Sequence, residues 1–154
     1  MAAAILLLAP LLPAKPPTYA QLAAKMAKAQ GPKRAELLSQ LALMDYDKAR
    51  KSYEGGQSQA GAQCLAALEA HGGEAMALLR AEAAQGGKKG MKKVEIAFRK
   101  VVFGLDDLGH EANFQDQRRI EAARQRFADR RQQLLTWLFA SKKRAGKGKL
   151  AWHA

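Results

Sequence analysis

The chain has 154 residues, which is long enough for one domain with a hydrophobic core. Apolar residues make up 48% of it, but many are alanine and only 6% are aromatic, so the composition favours closely packed helices over a sheet. The formal net charge of +12 points to polyanions or anionic membrane surfaces as partners, although a solvated basic face without a partner is the alternative.

The chain begins with an apolar run over residues 2–14 that carries no charged side chain. The run is too short to span a bilayer as a helix, but its length suits the hydrophobic region of a secretory signal, and Leu12, Pro13 and Ala14 could form a cleavage site. The sequence therefore predicts a signal peptide over residues 1–14 and a periplasmic or secreted protein. The alternative is an apolar segment packed on the core of a cytoplasmic protein.

Residues 15–85 read as Ala-rich helices of a single all-α domain that extends to residue 140. Thr18 and Gln21 have the spacing of a capping box, which predicts the start of the first helix. Glycines are expected to end the helices, at Gly55, Gly72, Gly86 and Gly109 among others. The predicted helices run over about 19–29, 33–54, 58–71 and 74–85, and Cys64 is expected to be a small buried residue within the third.

Small residues around a tyrosine in the second and third predicted helices form a recognisable pattern. It consists of Ala49, Tyr53, Gly55, Ala60, Cys64 and Ala67. This stretch, about residues 33–71, resembles a single tetratricopeptide-like helical hairpin. The resemblance implies a pair of helices used as an interaction surface. The alternative is that two Ala-rich helices share these small positions without that relationship.

Two amphipathic helices over 91–139 are the strongest pattern in the chain. In the first, five apolar residues recur at helical spacing, and in the second Ile120, Phe127 and Leu134 recur every seven residues. The first set is Val94, Phe98, Val101, Leu105 and Leu108. Each helix therefore presents one apolar stripe, and two such stripes bury each other in an antiparallel hairpin. The overall prediction is an all-α bundle of about five to six helices that ends in this hairpin.

Basic charge is concentrated around the hairpin. Residues 86–100 and the last residues, from 140 onwards, each carry +5, whereas residues 101–114 carry −3. An antiparallel hairpin would bring the two basic segments together at one end. The predicted site for an anion or partner is therefore Lys88, Lys89, Lys92, Lys93, Lys142, Lys143 and Arg144. Residues 141–154 are predicted to be a disordered basic tail, in which Leu150 and Trp152 could dock on another surface.

The sequence contains no catalytic constellation. One cysteine excludes an intrachain disulfide and a cysteine zinc cluster, and the glycines and lysines of 86–90 lack P-loop spacing. His71 is expected at a helix end, where its charge would suit the helix dipole. Asp107 and His110 could share a helix face, but we interpret them as an acidic helix end that leads into a loop. We predict no catalytic residue, cofactor or metal.

The arginines of 115–139 are expected to form a solvated face, with intrahelical pairs of Glu121 with Arg124 and of Asp129 with Arg126. From these features we predict a non-enzymatic interaction or scaffold module of the cell envelope. It would bind a protein or an anionic envelope component. The alternative function is a cytoplasmic nucleic-acid-binding protein that uses the tail and the arginine-rich helix on phosphates.

Overall fold

The computed structural model describes residues 16–140, and this part of the chain folds into five α-helices without a strand. The all-α prediction is thereby confirmed; the predicted signal and tail lie outside the described residues. None of the five helices combines the length and the apolarity needed to cross a membrane. The helices are α1 (Tyr19–Lys28), α2 (Gly31–Glu54), α3 (Ser58–Ala84), α4 (Met91–Glu111) and α5 (Phe114–Phe139).

Two predicted helix ends are wrong. Gly72 and Gly73 were expected to separate two helices, but α3 continues through both of them as one helix. Gly109 was expected to end the first helix of the hairpin, yet α4 continues to Glu111. At Gly72 another helix packs so closely that there is no room for a side chain. At Gly109 a β-carbon would lie 3.6 Å from Ile120 of α5, which is an ordinary contact distance. Gly72 therefore serves close packing, whereas Gly109 is tolerated within the helix without a packing requirement.

The predicted start of α1 is confirmed. The Thr18 hydroxyl accepts a hydrogen bond from the amide of Gln21, and the Gln21 side chain accepts one from the amide of Thr18. This capping box satisfies two amides that the helix itself leaves unpaired. Leu22 of α1 then packs with Leu37 and Leu41 of α2 in a small cluster that is separate from the main core.

Two helical hairpins stack to form the body of the molecule. In the first, α2 and α3 run antiparallel, and in the second α4 and α5 do the same, as predicted. Between the hairpins, α4 runs parallel to α2, and α5 runs parallel to α3. Glu36 of α2 bonds Lys93 of α4, and Glu69 of α3 bonds Arg126 of α5, each across 57 residues of sequence. Stacking in this way lets each hairpin bury the face that its own two helices leave open.

The core combines small side chains on α2 with large ones on α4. On the inward face of α2, alanine recurs every seven residues, at 35, 42 and 49. On α4, Met91, Phe98 and Leu105 recur at the same spacing. The predicted stripes of α4 and α5 are buried. Phe98 and Phe127 meet edge to face with their ring centroids 4.9 Å apart, a favoured arrangement of two aromatic rings. Cys64, expected to be buried, is partly exposed beside this core.

Three aromatic rings lie against glycines where any side chain would collide. Tyr53 covers Gly61 within the first hairpin, and Tyr46 of α2 covers Gly104 of α4. Phe127 of α5 covers Gly72 of α3, so that a β-carbon at Gly72 would stand 2.5 Å from the ring. Glycine at these positions lets a ring reach the backbone of the neighbouring helix.

Replacing Gly72 by alanine should destabilise the protein by about 1–3 kcal/mol, because the new methyl group displaces the buried Phe127 ring. Gly73→Ala is the matched control, since its β-carbon would lie 3.5 Å from the nearest side chain and alanine favours a helix interior by up to about 1 kcal/mol. Urea unfolding of both variants measures this. Equal midpoints for Gly72→Ala and Gly73→Ala would contradict the packing role of Gly72.

Candidate functional site

The loop between α3 and α4, taken together with the first turn of α4 as residues 85–93, carries Lys88, Lys89, Lys92 and Lys93 of the predicted cluster. Gly86 and Gly90 adopt positive φ angles of 72° and 75°, which glycine accepts without strain. Gly90 caps the start of α4 and approaches the backbone at the start of α2, where a β-carbon would lie only 3.0 Å from the carbonyl oxygen of Pro32. The loop is thereby fixed against the start of the first hairpin, and its lysines extend from that end of the molecule.

Lys88 joins this loop to the end of α5. Its ammonium group donates hydrogen bonds to the backbone carbonyls of Leu138 and Ala140, the latter at 3.1 Å. The last carbonyls of a helix lack partners within the helix, and a cation there also suits the helix dipole. The contact brings the start of α4 beside the end of α5, from which residues 141–154 continue. Lys142, Lys143 and Arg144 lie outside the described residues.

The other lysines of the loop divide into bound and exposed groups. Lys93 contacts the carboxylate of Glu36 at 3.0 Å, and Lys33 contacts the same oxygen at 3.4 Å. Lys89 and Lys92 are exposed, and neither forms an ion pair within residues 16–140. Lys88 and Lys93 therefore contribute to the fold, whereas Lys89 and Lys92 keep their charges available to a partner.

Charge is distributed unevenly along the molecule. The half that contains the loop, residues 16–42, 72–99 and 128–140, carries twelve Lys and Arg and five Asp and Glu. The other half, residues 43–71 and 100–127, carries eight and nine. We call the first half the basic end. The predicted charge separation of the C-terminal hairpin thus extends over both hairpins, because α2 and α4 start at the same end.

The arginines of α5 are largely engaged within the fold. Arg124 bonds Glu121, as predicted, and also lies 3.5 Å from Asp106. Arg126 does not pair with Asp129 but donates two hydrogen bonds to Glu69 of α3. Within α5, Arg119 lies 3.7 Å from Asp116, and between helices Arg131 bonds Glu95 of α4 at 2.7 Å. Arg126 and Arg131 tie helices together, which sequence spacing could not show because their partners lie on other helices.

Arg130 is half-buried over the ring of Phe127, with its guanidinium carbon 5.0 Å from the ring centroid. Burial lowers the pKa of this arginine, and the charge of Glu69 works in the opposite direction. One guanidinium nitrogen has no hydrogen-bond partner in the described part of the chain. The side chain thus acts mainly through packing against Phe127 and Gly72.

His71 lies within α3 and not at a helix end, so its predicted role as an end cation is wrong. Its Nδ1 atom is 2.7 Å from a carboxylate oxygen of Asp45, which is almost completely buried. Lys48, also near Asp45, covers the ring of Tyr19. Spacing along one helix could not reveal this contact, because Asp45 and His71 lie on different helices, 26 residues apart.

His110 contacts Asp106 at 4.0 Å, and both side chains are exposed. The acidic neighbour of His110 is therefore Asp106 and not Asp107, and His110 and Asp106 both belong to the last turns of α4. Across residues 16–140 no group of three His, Cys, Asp or Glu side chains converges as a metal site would require.

At the opposite end from the loop, Asp116 is buried between the starts of α3 and α5. It accepts hydrogen bonds from the hydroxyl of Ser58 and the amide group of Asn113. Asn113 in turn caps α5 by accepting from the Asp116 backbone amide at 3.0 Å. A carboxylate at two helix starts is favoured by both helix dipoles, so this contact fastens the two hairpins at the end opposite the basic end.

The chain matches no known protein-family model, and neither the curated proteins nor the solved structures contain a significantly similar one.

All three tyrosines should ionise at a higher pH in the folded protein than in protein unfolded by urea. Burial is the main cause that raises the pKa of Tyr19, Tyr46 and Tyr53 above the ordinary value of 10.0; the nearby carboxylate of Asp45 adds to it at Tyr19 and that of Asp116 at Tyr53. The associated stability is complete below pH 10 and is lost as the pH rises through the folded-state pKa values. Phenolate absorbance in folded and unfolded protein tests this, and coincident titrations would contradict it.

Proposed function

We propose that the protein is a non-enzymatic helical interaction module that binds a protein or an anionic component of the cell envelope through its basic end. The observation that carries the proposal is the contact of Lys88 with the last carbonyls of α5. This contact supports the proposal because it holds the lysine-rich loop beside Ala140, after which the basic residues 141–154 follow in the sequence. Under this proposal, positive charges that are separated in the sequence act together on one partner.

Two roles follow for the lysines of the loop. Lys88 and Lys93 hold the loop in place through their contacts with α5 and Glu36. Lys89 and Lys92 are exposed and would meet the partner, together with Lys142, Lys143 and Arg144. Such a surface steers anionic partners through long-range attraction, which weakens as salt rises.

The stacked hairpins support a role as a scaffold. The tetratricopeptide-like resemblance of about residues 33–71 implies that α2 and the first half of α3 are used as an interaction surface. The second hairpin stacks on the first, with α4 parallel to α2 and α5 parallel to α3. Proteins built from stacked helix pairs use their surfaces to bind other chains. We propose the same use here, with the basic end as the contact surface.

The alternative, binding of nucleic acid, would require phosphates to reach the same basic end. The arginines of α5 are poorly placed for this, because Arg124, Arg126 and Arg131 are already bound to carboxylates of the fold. The lysines remain, and lysine contacts with phosphate depend strongly on salt. The two functions therefore differ in the partner that is preferred at physiological salt.

Changing Lys89 and Lys92 to glutamine should weaken binding to anionic lipid vesicles about 30-fold at low salt, since each lysine near such a surface contributes about 1 kcal/mol. Lys51→Gln with Lys100→Gln is the matched control, because both lysines are exposed and lie in the half with balanced charge. The control should change binding less than about threefold. Vesicle co-sedimentation and titration with random-sequence duplex DNA across a salt series measure both partners.

Equal losses in the two double variants would mean that total charge and not the basic end determines binding. Tighter binding to duplex DNA than to vesicles near 0.15 M salt, where the Debye length is about 8 Å, would favour the nucleic-acid function.

The envelope location depends on residues 1–14. If they act as a signal, the mature protein from its native host should begin at Lys15, and it should be found outside the cytoplasm. N-terminal sequencing of the purified native protein, with cell fractionation, measures this. An intact residue 1 or 2 in a cytosolic fraction would contradict the envelope location and favour the alternative.

A further inference from the structure

A groove of about 490 Å³ lies between α1 and α2. Its floor is apolar and includes Leu22, Leu37 and Ala29, of which the two leucines are almost completely buried. Its rim carries three lysines, Lys25, Lys28 and Lys33, and no lining residue has a carboxylate.

The groove exists because α1 is held at its two ends. Among the described helices α1 contacts α2 alone. At its start, Lys48 of α2 covers the ring of Tyr19 at 3.5 Å, and near its end the side chain of Arg34 reaches the carbonyl of Met26 at 3.4 Å. Between these contacts only Leu22 is buried along α1, so the space beside it stays open.

The lysines at the rim are mostly uncompensated. Lys25 and Lys28 are exposed and have no ion pair within residues 16–140. Lys33 shares the carboxylate of Glu36 with Lys93, and one carboxylate cannot neutralise two ammonium groups. An anionic group over the rim would therefore meet positive charge, while a hydrocarbon chain attached to it would meet the apolar floor.

We infer that this groove binds a single-chain anionic lipid, with its hydrocarbon chain on the floor and its carboxylate or phosphate at the three lysines. The volume lies within the range of small-molecule sites. A peptide helix of about 10 Å diameter would fill that volume with roughly one turn, so an acidic helix fits poorly. Residues 2–14 of the chain are apolar but contain no acid that could complement the lysines.

The groove extends the proposed function to a defined ligand but can be tested apart from it. It adjoins the loop of Lys88 to Lys93 through Glu36, yet its rim does not include Lys89 or Lys92. Lys89→Gln with Lys92→Gln therefore impairs the basic-end surface and leaves the groove intact. Loss of lipid binding and loss of vesicle binding can then be told apart.

The experiment is calorimetric titration of the full chain with laurate, myristate and the zwitterionic dodecylphosphocholine, each below its critical micelle concentration. We expect laurate to bind more tightly than dodecylphosphocholine. Each further methylene group should tighten binding by about fourfold, so that myristate exceeds laurate by about fifteenfold. Dependence on chain length reports the floor, and dependence on the head group reports the lysines.

Two variants separate these contributions. Lys25→Gln with Lys28→Gln should weaken laurate binding by at least about tenfold and keep the chain-length dependence. Ala29→Phe should fill the groove and abolish the chain-length dependence; Ala29 has extended backbone, which phenylalanine accepts. Lys89→Gln with Lys92→Gln should bind laurate as the wild type does. Circular dichroism and thermal unfolding confirm that each variant is folded.

Several results would overturn the assignment. These are laurate binding that neither groove variant changes, affinity independent of chain length, and competition by polyglutamate as strong as that by laurate, which would indicate an acidic protein segment. A variant that lacks residues 2–14 tests whether that segment occupies the groove, through its laurate affinity relative to the full chain. Laurate affinity unchanged by this deletion supports the lipid as occupant, whereas laurate binding seen only after the deletion would assign the groove to residues 2–14.

Discussion

The contact of Phe127 with Gly72 holds the two hairpins together. The ring lies directly against the backbone of α3, which is possible because Gly72 has no side chain, and it also meets Phe98 edge to face. All three residues are buried. Neither hairpin could bury its apolar face alone. Where they meet, α2 offers alanines at 35, 42 and 49, and α4 offers Met91, Phe98 and Leu105. The fold depends on this match of small against large.

Polar contacts then fix how the hairpins align, and they engage some basic residues, with Lys88 and Lys93 among them, while others stay exposed. Arginines such as Arg126 and Arg131 form the ties between helices, for which a planar guanidinium with several donors is well suited. Lysines such as Lys89 and Lys92 remain exposed at one end. The net positive charge of the surface is therefore carried mainly by groups that the fold does not use. This division leaves the basic end free to bind without loosening the core.

The second hairpin was predictable because its large apolar residues recur at helical spacing, and its antiparallel form implied that the start of α4 meets the end of α5. The first hairpin was less predictable. Gly72 and Gly73 read as a break, since glycine both ends helices and admits close packing, and the difference depends on Phe127, 55 residues away. The same limit applies to the site. Spacing located the lysine cluster, but the contact of Lys93 with Glu36 and the groove beside α1 arise from tertiary packing.

The order of contacts along the chain has a consequence for how the protein folds. Each hairpin is made from consecutive helices joined by a short loop, so its contacts close small segments of chain and can form early. The seat of Phe127 on Gly72 joins segments that are far apart in the sequence, and it can form only when both hairpins exist. We therefore expect docking to come after the hairpins begin to form. Loosening that seat should accelerate unfolding, and it should slow folding only to the extent that the contact is already made in the transition state.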